Sequence, residues 1–201
     1  IKNLSAGNFQ ANFGQGLVIG SPFKMGKIRW MSSGMNAREG VQKFTSVGND
    51  YQAFHGIGTT LRFNWAEVSA LYSMQPIDSA WHHLLGINVT GKWKRLKVGV
   101  TSIENLYSAS TAAKSVMGLN ARYNFGKVDI WGEVAATQGN TWGYGGIIGI
   151  DFTPINDVSV LALYRYYSPY FDNPYAYAFS EKSRLNDENG FYLGVDVRTF
   201  A

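Results

Sequence analysis

The chain has 201 residues, enough for one sizeable domain, and it combines 23 glycines and 15% aromatic residues with only 16% charged residues. This composition suits many strands and turns and argues against disorder. The absence of cysteine excludes a disulfide framework and a thiolate metal site, and no run of 18 apolar residues is present to form a transmembrane helix. A transmembrane β-barrel stays open, because its strands are shorter and alternate in polarity.

Alternation of apolar and polar residues predicts about ten β-strands along the chain. In chain order the predicted segments are 4–13, 51–63, 65–73, 82–93, 95–103, 116–125, 128–137, 144–153, 158–167 and 191–200. The hairpin at 82–103 is the clearest case, since Leu85 and Val89 share one face while Asn88 and Thr90 share the other. No segment of comparable length has apolar residues at the 3.6-residue spacing of an amphipathic helix.

Charged residues within these segments keep to the polar face, which would line the interior of a barrel. Its charged members are Arg62, Glu67, Lys92, Arg95, Lys97, Arg122, Asp129, Glu133, Asp151, Arg165, Asp196 and Arg198. We expect the two signs to pair across strands into a polar network. The alternative is a cationic strip that favours anionic solutes. That strip would consist of Lys92, Arg95, Lys97 and Arg122.

The connections between the predicted strands alternate in length. Tight turns are expected at Asn64, Lys94-Arg95, Gly126-Lys127 and 154–157, and longer loops at 74–81, 104–115, 138–143 and 168–190. Outer-membrane barrels have short turns at one rim and long loops at the other. This pattern favours a membrane barrel over a soluble sandwich.

Aromatic residues gather near the ends of the predicted strands, where amphipathic rings suit a bilayer interface. These residues are Phe63, Trp65, Trp93, Phe125, Trp142, Tyr144, Phe152 and Tyr166. The sequence therefore predicts an all-β fold, an antiparallel transmembrane β-barrel of about ten strands that is either complete or part of a larger barrel.

A pair of glycines interrupts the first predicted strand. Gly14 and Gly16 flank Gln15 at a point where the strand would otherwise continue. Glycine there permits a bulge, a sharp bend or close approach of the backbone. We expect a bent strand corner, and the alternative is that residues 13–27 fold inward and constrict the lumen. The long basic connection at 21–50 is expected to be solvated, unless it plugs the pore or binds an acidic partner.

Residue types that serve in catalysis or metal binding form no arrangement in the sequence that strongly indicates a site. Asp78, Ser79 and His83 have the residue types of a hydrolase triad, but they come from one loop and imply little without geometry. His82 and His83 are adjacent on a strand and point to opposite faces, which disfavours a shared metal. Loop 168–190 is rich in Tyr and Asp and is expected to be an ordinary exposed loop, unless it grips a sugar or a protein. We expect no enzyme, no catalytic residue, no metal and no cofactor.

Three segments resemble a known family. The segment GNFQANFGQGLVIGSPFKMGK, residues 7–27, is similar to one that recurs in outer-membrane β-barrel proteins of Bacteroidota. That family is usually labelled by a helix-hairpin-helix domain that precedes the barrel. Residues 49–63 are similar to the family's next strand, with His55 where an Arg is expected, and residues 180–195 look like its loop-to-strand junction. Helix-hairpin-helix modules bind DNA, but none is present in these residues, so nucleic acid is not an expected partner.

We expect residues 1–201 to form a single outer-membrane β-barrel domain that belongs to a longer chain. The chain begins with Ile1, and Phe200 has the inward parity of Asp196, whereas bacterial barrels commonly end on an outward aromatic residue. The expected role is a channel, transport or envelope-complex component, with outer-membrane lipid and other envelope proteins as partners. The alternatives are a structural subunit of a secretion or surface assembly, an outer-membrane hydrolase and a soluble β-sandwich binding module.

Overall fold

The structure, a computed structural model, describes residues 3–20, 39–44, 53–77, 80–105, 115–155, 157–182 and 184–197. These residues form eleven β-strands and contain no helix. Ten of the strands match the ten predicted segments, and the short second strand was not predicted. The strands are β1 (Asn3–Asn12), β2 (Gly40–Lys43), β3 (Phe54–Arg62), β4 (Ala66–Ile77), β5 (Ala80–Trp93), β6 (Leu96–Asn105), β7 (Ser115–Asn124), β8 (Val128–Gln138), β9 (Trp142–Ile155), β10 (Val158–Tyr167) and β11 (Glu188–Val197).

All eleven strands belong to one antiparallel sheet. From β11 back to β3 the neighbours follow chain order, and β1 then pairs with β3 on one side and with β2 on the other. Among the described residues no pairing joins β11 to β1 or β2, so the sheet is open between these strands. The predicted all-β antiparallel fold is confirmed, while closure into a barrel is not part of the described pairing.

Strand pairing extends into two of the expected long loops and shortens them. The pairing of β4 with β5 continues to Ile77 opposite Ala80, so the loop expected at 74–81 shrinks to the residues between them. The pairing of β8 with β9 likewise reaches Gln138 opposite Trp142. The expected alternation of short turns and long loops is therefore wrong at these two connections. Pairing with a long neighbouring strand extends β4 beyond the end that its local alternation predicted.

The exposed face of the sheet is apolar, whereas the exposed face of a water-soluble sheet is polar. One face, the outer face, exposes large apolar side chains such as Leu119 (48%), Val134 (57%) and Leu193 (62%). The other face, the inner face, buries polar side chains that include Asn88 and Glu133. Residues paired across antiparallel strands share a face, so this partition runs through consecutive strands.

The buried apolar core lies against the inner face. Its strand residues include Phe9, Ile103 and Trp131, and they pack with residues from two segments outside the sheet, at 13–20 and 168–182. Strand β2 also lies over this face, because the backbone N–H of Val41 donates to the hydroxyl of Thr60 across 3.0 Å. The described residues therefore cover the inner face of the sheet and leave its outer face exposed.

Candidate functional site

The first inner segment, residues 13–20, leaves the end of β1 and crosses the inner face of the sheet. It forms a compact turn in which Phe13 N donates to Ile19 O across 3.2 Å and Gly16 N donates to Phe13 O across 3.1 Å. Leu17, Val18 and Ile19 are fully buried. The apolar tripeptide at 17–19 thus anchors the segment by burial.

A carboxylate of the sheet holds the backbone of this segment. Oε2 of Glu133, on β8, accepts the backbone N–H of Gln15 across 2.5 Å and that of Leu17 across 3.2 Å. Converging backbone N–H groups form a concave site that suits an anion. Because Glu133 is itself buried, these donors compensate the loss of hydration of its charge.

Backbone conformation favours glycine at both glycine positions of the segment, and the close approach to the sheet adds to this at Gly14. Gly14 has φ of 55° and Gly16 has φ of 86°, a region that glycine adopts without strain. A Cβ atom on Gly14 would lie 2.8 Å from Oε2 of Glu133 and 2.9 Å from Cβ of Asn120. The structure therefore places Gly14, Gln15 and Gly16 over β7 and β8. The expected bent strand corner is wrong, because β1 ends at Asn12 and turns follow it.

The second inner segment, residues 168–182, comes from the connection between β10 and β11. Its Asn173 side chain donates from Nδ2 to the carbonyl oxygens of Leu17 and Val18, across 2.7 and 2.8 Å. These carbonyls are buried and need such a partner. Asn173 therefore joins the two inner segments across more than 150 residues of sequence.

Backbone hydrogen bonds join the two inner segments further. Tyr177 N donates to Gly16 O across 2.8 Å, and Gly20 N donates to Tyr175 O across 3.0 Å. The hydroxyl of Tyr175 reaches the inner face, where it donates to the side-chain oxygen of Asn105 across 3.1 Å. Burial raises the pKa of the Tyr175 and Tyr177 phenols above their usual value, so both stay neutral at neutral pH.

The second inner segment is also fixed to the strand that precedes it. The hydroxyl of Tyr167, at the end of β10, donates to the carbonyl oxygen of Phe179 across 2.7 Å. Phe171 is fully buried, with its ring centroid 6.1 Å from that of Tyr167. Phe171 also covers Gly145, where a Cβ atom would lie 3.1 Å from the ring. Two inner segments held to each other and to the sheet form the candidate functional site.

Most of the predicted inner-face charges pair with partners. Arg62 and Lys92 both contact Glu67, with N···O distances of 2.6 and 2.9 Å. Lys97 pairs with Glu39, which directly precedes β2. Three cations near the short-turn end of the sheet thus have carboxylate partners.

Charged side chains on the following strands, β7 to β10, also have hydrogen-bond or ion-pair partners. Arg122 Nε donates to Asp129 Oδ2 across 2.7 Å, and Asp151 accepts the indole N–H of Trp131 across 3.0 Å. Arg165 pairs with Glu188 at the opposite end of the sheet. Together with the pairs above, these contacts favour the polar network over a cationic strip.

The remaining predicted charges are placed as follows. Arg95 is exposed in the turn between β5 and β6, and its place on the inner face stays a prediction. Asp196 lies on β11 opposite Ser159, on the inner face. Arg198 lies outside the described residues, as does most of the connection at 21–50.

Several residues of the site were missed by sequence reasoning. Asn173, Tyr175 and Tyr177 all lie in a loop whose aromatic content was noted but whose contacts were not foreseen. Glu188, the partner of Arg165, was assigned to that loop rather than to β11. The Asn-Pro step at 173–174, typical of a turn, was the available signal that the loop folds back.

Of the residues weighed as a hydrolase triad, the structure describes His83. Nδ1 of His83 lies 2.7 Å from the hydroxyl of Tyr72, and the rings of these residues stack. Residues 78 and 79, the other members of the conceivable triad, lie outside the described residues. Within the described ranges, no group of three or more His, Asp or Glu side chains is placed to hold a metal ion, and no helix is long and apolar enough to cross a membrane.

Comparisons with known proteins leave the site to be argued from its geometry. No family model matches the chain, and no curated protein or solved structure is significantly similar to it. The resemblance to the Bacteroidota barrel family therefore stays a prediction. What the chain displays by itself is an antiparallel sheet with an exposed apolar face and an inner face covered by two of its own segments.

Proposed function

We propose that the chain is the membrane-spanning part of a bacterial outer-membrane β-barrel and that it works as a transport or envelope-complex component. In this proposal the two inner segments close the passage in the state described above. One observation carries the proposal. Across consecutive strands, the exposed face of the sheet is apolar, while the buried polar and charged side chains lie on the covered face together with the apolar core.

Hydrocarbon is the environment that suits this outer face. Soluble monomers rarely expose a contiguous apolar patch larger than a few hundred square ångströms. Here large aliphatic side chains are exposed on neighbouring strands, as with Leu85, Val100, Leu119 and Ile148. Lipid tails would cover these side chains without a second protein layer, and the paired sheet satisfies the backbone groups that lipid cannot.

The length of the strands fits a bilayer. On β5 the outer face begins with Trp81 and ends with Trp93, and this stretch is about 40 Å long at ~3.3 Å per residue. Tilted by about 45°, it would cross about 28 Å, close to the thickness of a hydrocarbon core. Both tryptophans are exposed at the strand ends, where interfacial rings are found in membrane barrels.

The outer face becomes polar near one end of the sheet, as is expected where the hydrocarbon core of a bilayer ends. Nδ1 of His55 lies 2.7 Å from Oδ1 of Asn8, and both side chains are exposed on the outer face of β3 and β1. Glu104, on β6 opposite Leu85, is also exposed there. In this proposal the polar groups near this end of the strands meet the lipid headgroups. The long connections at the same end of the sheet then lie outside the membrane.

Purification in detergent tests the membrane proposal. The protein is expected to stay folded and monodisperse in detergent micelles and to insert into phosphatidylcholine vesicles on detergent dilution. Removal of detergent without lipid is expected to precipitate it, because the apolar outer face would then meet water. A monodisperse, folded protein in plain buffer would contradict the proposal.

Planar-bilayer recording tests the closed state. Wild-type protein is expected to insert without steady conductance, because the inner segments fill the space over the inner face. The double variant Glu133→Ala/Asn173→Ala removes the side chains that hold the first inner segment and is expected to show frequent openings. A steady open-channel current from the wild type, across many insertions, would contradict the closed state.

A further inference from the structure

A polar pocket of about 280 Å³ opens between the β8–β9 turn and the connection from β10 to β11. Asn140 contributes from the turn, and Tyr170, Asp172, Arg184 and Asn186 contribute from the connection. This pocket lies apart from the hydrogen bonds that join the two inner segments. We propose that it binds a neutral saccharide, one hexose ring or its equivalent.

The residues that line the pocket are held in place because the residues next to them in the chain are buried. Tyr170 and Asp172 are exposed, while Phe171 between them is fully buried and Asn173 after them is tied to the first inner segment. The backbone is therefore pinned at every second residue, so Tyr170 and Asp172 are presented to solvent from fixed positions. Preorganisation of this kind lowers the entropic cost of binding a ligand.

A second stretch of the same connection lines the pocket in the same way, with lining side chains on either side of a packed one. Leu185 packs against the apolar core, while Arg184 and Asn186 on either side of it line the pocket. The backbone N–H of Asp187 donates to Ser168 O across 3.2 Å, which ties this wall to the start of the connection. Both walls are thus anchored in the protein rather than free to collapse.

The chemistry of the lining points to hydroxyl groups as ligands. Asp172 only accepts hydrogen bonds and Arg184 only donates them, while the amides of Asn140 and Asn186 do both. Within the described part of the chain, none of these four side chains has a hydrogen bond or ion pair with another residue. The negative charge of Asp172 and the positive charge of Arg184 offset each other, so neither an anion nor a cation is favoured as the ligand.

An aromatic side chain and the size of the pocket narrow the ligand further. Tyr170 is 63% exposed although it lines the pocket, and an exposed ring offers an apolar surface to the C–H face of a sugar. The volume lies just below the lower end of the range for small-molecule sites, which suits one ring better than a polymer. Saccharides are the common biological class that combines an apolar face with a rim of hydroxyls.

Saturation-transfer NMR tests this inference on the whole protein in a detergent without a sugar headgroup. The probes are D-glucose, D-galactose, D-mannose and N-acetyl-D-glucosamine, and at least one is expected to bind with a millimolar Kd. Asp172→Ala and Tyr170→Ala are expected to weaken that binding tenfold or more, because each removes a main contact. Asp157→Ala, in the β9–β10 turn at the other end of the sheet, is the matched control and should leave binding unchanged.

Two outcomes would overturn the inference: no binding of any of the four sugars, or binding that is equally strong in Asp172→Ala and Tyr170→Ala. Asp172→Asn keeps the shape of the loop and serves as a second variant where truncation disturbs folding. The titration is carried out in micelles, so its result is separate from the question of whether the chain spans a membrane.

Discussion

Glu133 is the inner-face carboxylate that holds the first inner segment, and Glu133→Ala removes it. Its Oε2 accepts two backbone N–H groups, from Gln15 and Leu17. A hydrogen bond to a charged acceptor contributes about 1.5 to 3 kcal/mol net, so two contribute about 3 kcal/mol at the low end. We therefore expect the free energy of opening of residues 13–20 to fall by about 3 kcal/mol in the variant.

Amide hydrogen exchange measures this change directly. A loss of about 3 kcal/mol corresponds to roughly 100-fold faster exchange of the amides that open with the segment. Peptides covering residues 13–20, read by mass spectrometry in micelles, are expected to show this acceleration. Strands β4 and β5, which lie several strands away from β8, are expected to exchange at the wild-type rate.

Asp129→Ala is the matched control, because Asp129 is another buried carboxylate on the inner face of β8 and its partner is Arg122. Exchange in residues 13–20 should not change in this variant. The reasoning would be refuted by equal exchange of the segment in Glu133→Ala and wild type, or by an acceleration just as large in Asp129→Ala.

Two further pairs of substitutions test the outer face and the glycine turn. Leu119→Arg, in the middle of β7, is expected to lower the free energy of unfolding in vesicles by about 2 to 4 kcal/mol, whereas Phe125→Arg at the strand end should cost about 1 kcal/mol or less, as measured by guanidinium titration. Gly14→Ala is expected to reduce thermal stability more than Gly126→Ala, since both glycines have positive φ but only Gly14 also meets side-chain atoms within 3 Å.

Each of these pairs has a result that would count against it. An exposed Leu in a water-soluble protein tolerates Arg within about 0.5 kcal/mol, so a neutral Leu119→Arg would argue for a water-facing surface. Equal effects at Gly14 and Gly126 would mean that backbone conformation alone, rather than the approach of Glu133 and Asn120, explains the need for glycine.

The strands were predictable because their signal is local. In the hairpin at 82–103 the polarity of each residue indicates its face, and the two-residue turn at Lys94 and Arg95 sets the register, with Lys92 opposite Lys97. The same reasoning failed at residues 74–77, which were expected in a loop but lie inside a long paired strand. Local preference is a weak guide where a neighbouring strand supplies the pairing.

The candidate site was predictable only in part because its contacts are non-local. The glycines at 14 and 16 drew attention to an unusual backbone, but nothing in the sequence identifies Glu133 as its partner more than a hundred residues away. The pair between Asn173 and Leu17 has the same character. Strand β2 has four residues and pairs with β1 across a long connection, so its length is too short for a periodic signal.

Quenching of tryptophan fluorescence by brominated lipid tests most directly whether the outer face meets hydrocarbon. Two single-tryptophan variants are compared in vesicles, one that retains Trp93 on the outer face and one that retains Trp131, which is 1% exposed on the inner face. The remaining tryptophans are replaced by Phe in each variant. Strong quenching of Trp93 by bromine in the upper acyl chain, with little quenching of Trp131, is the expected result. Equal quenching of the two residues, or quenching of neither, would contradict a lipid-facing outer surface.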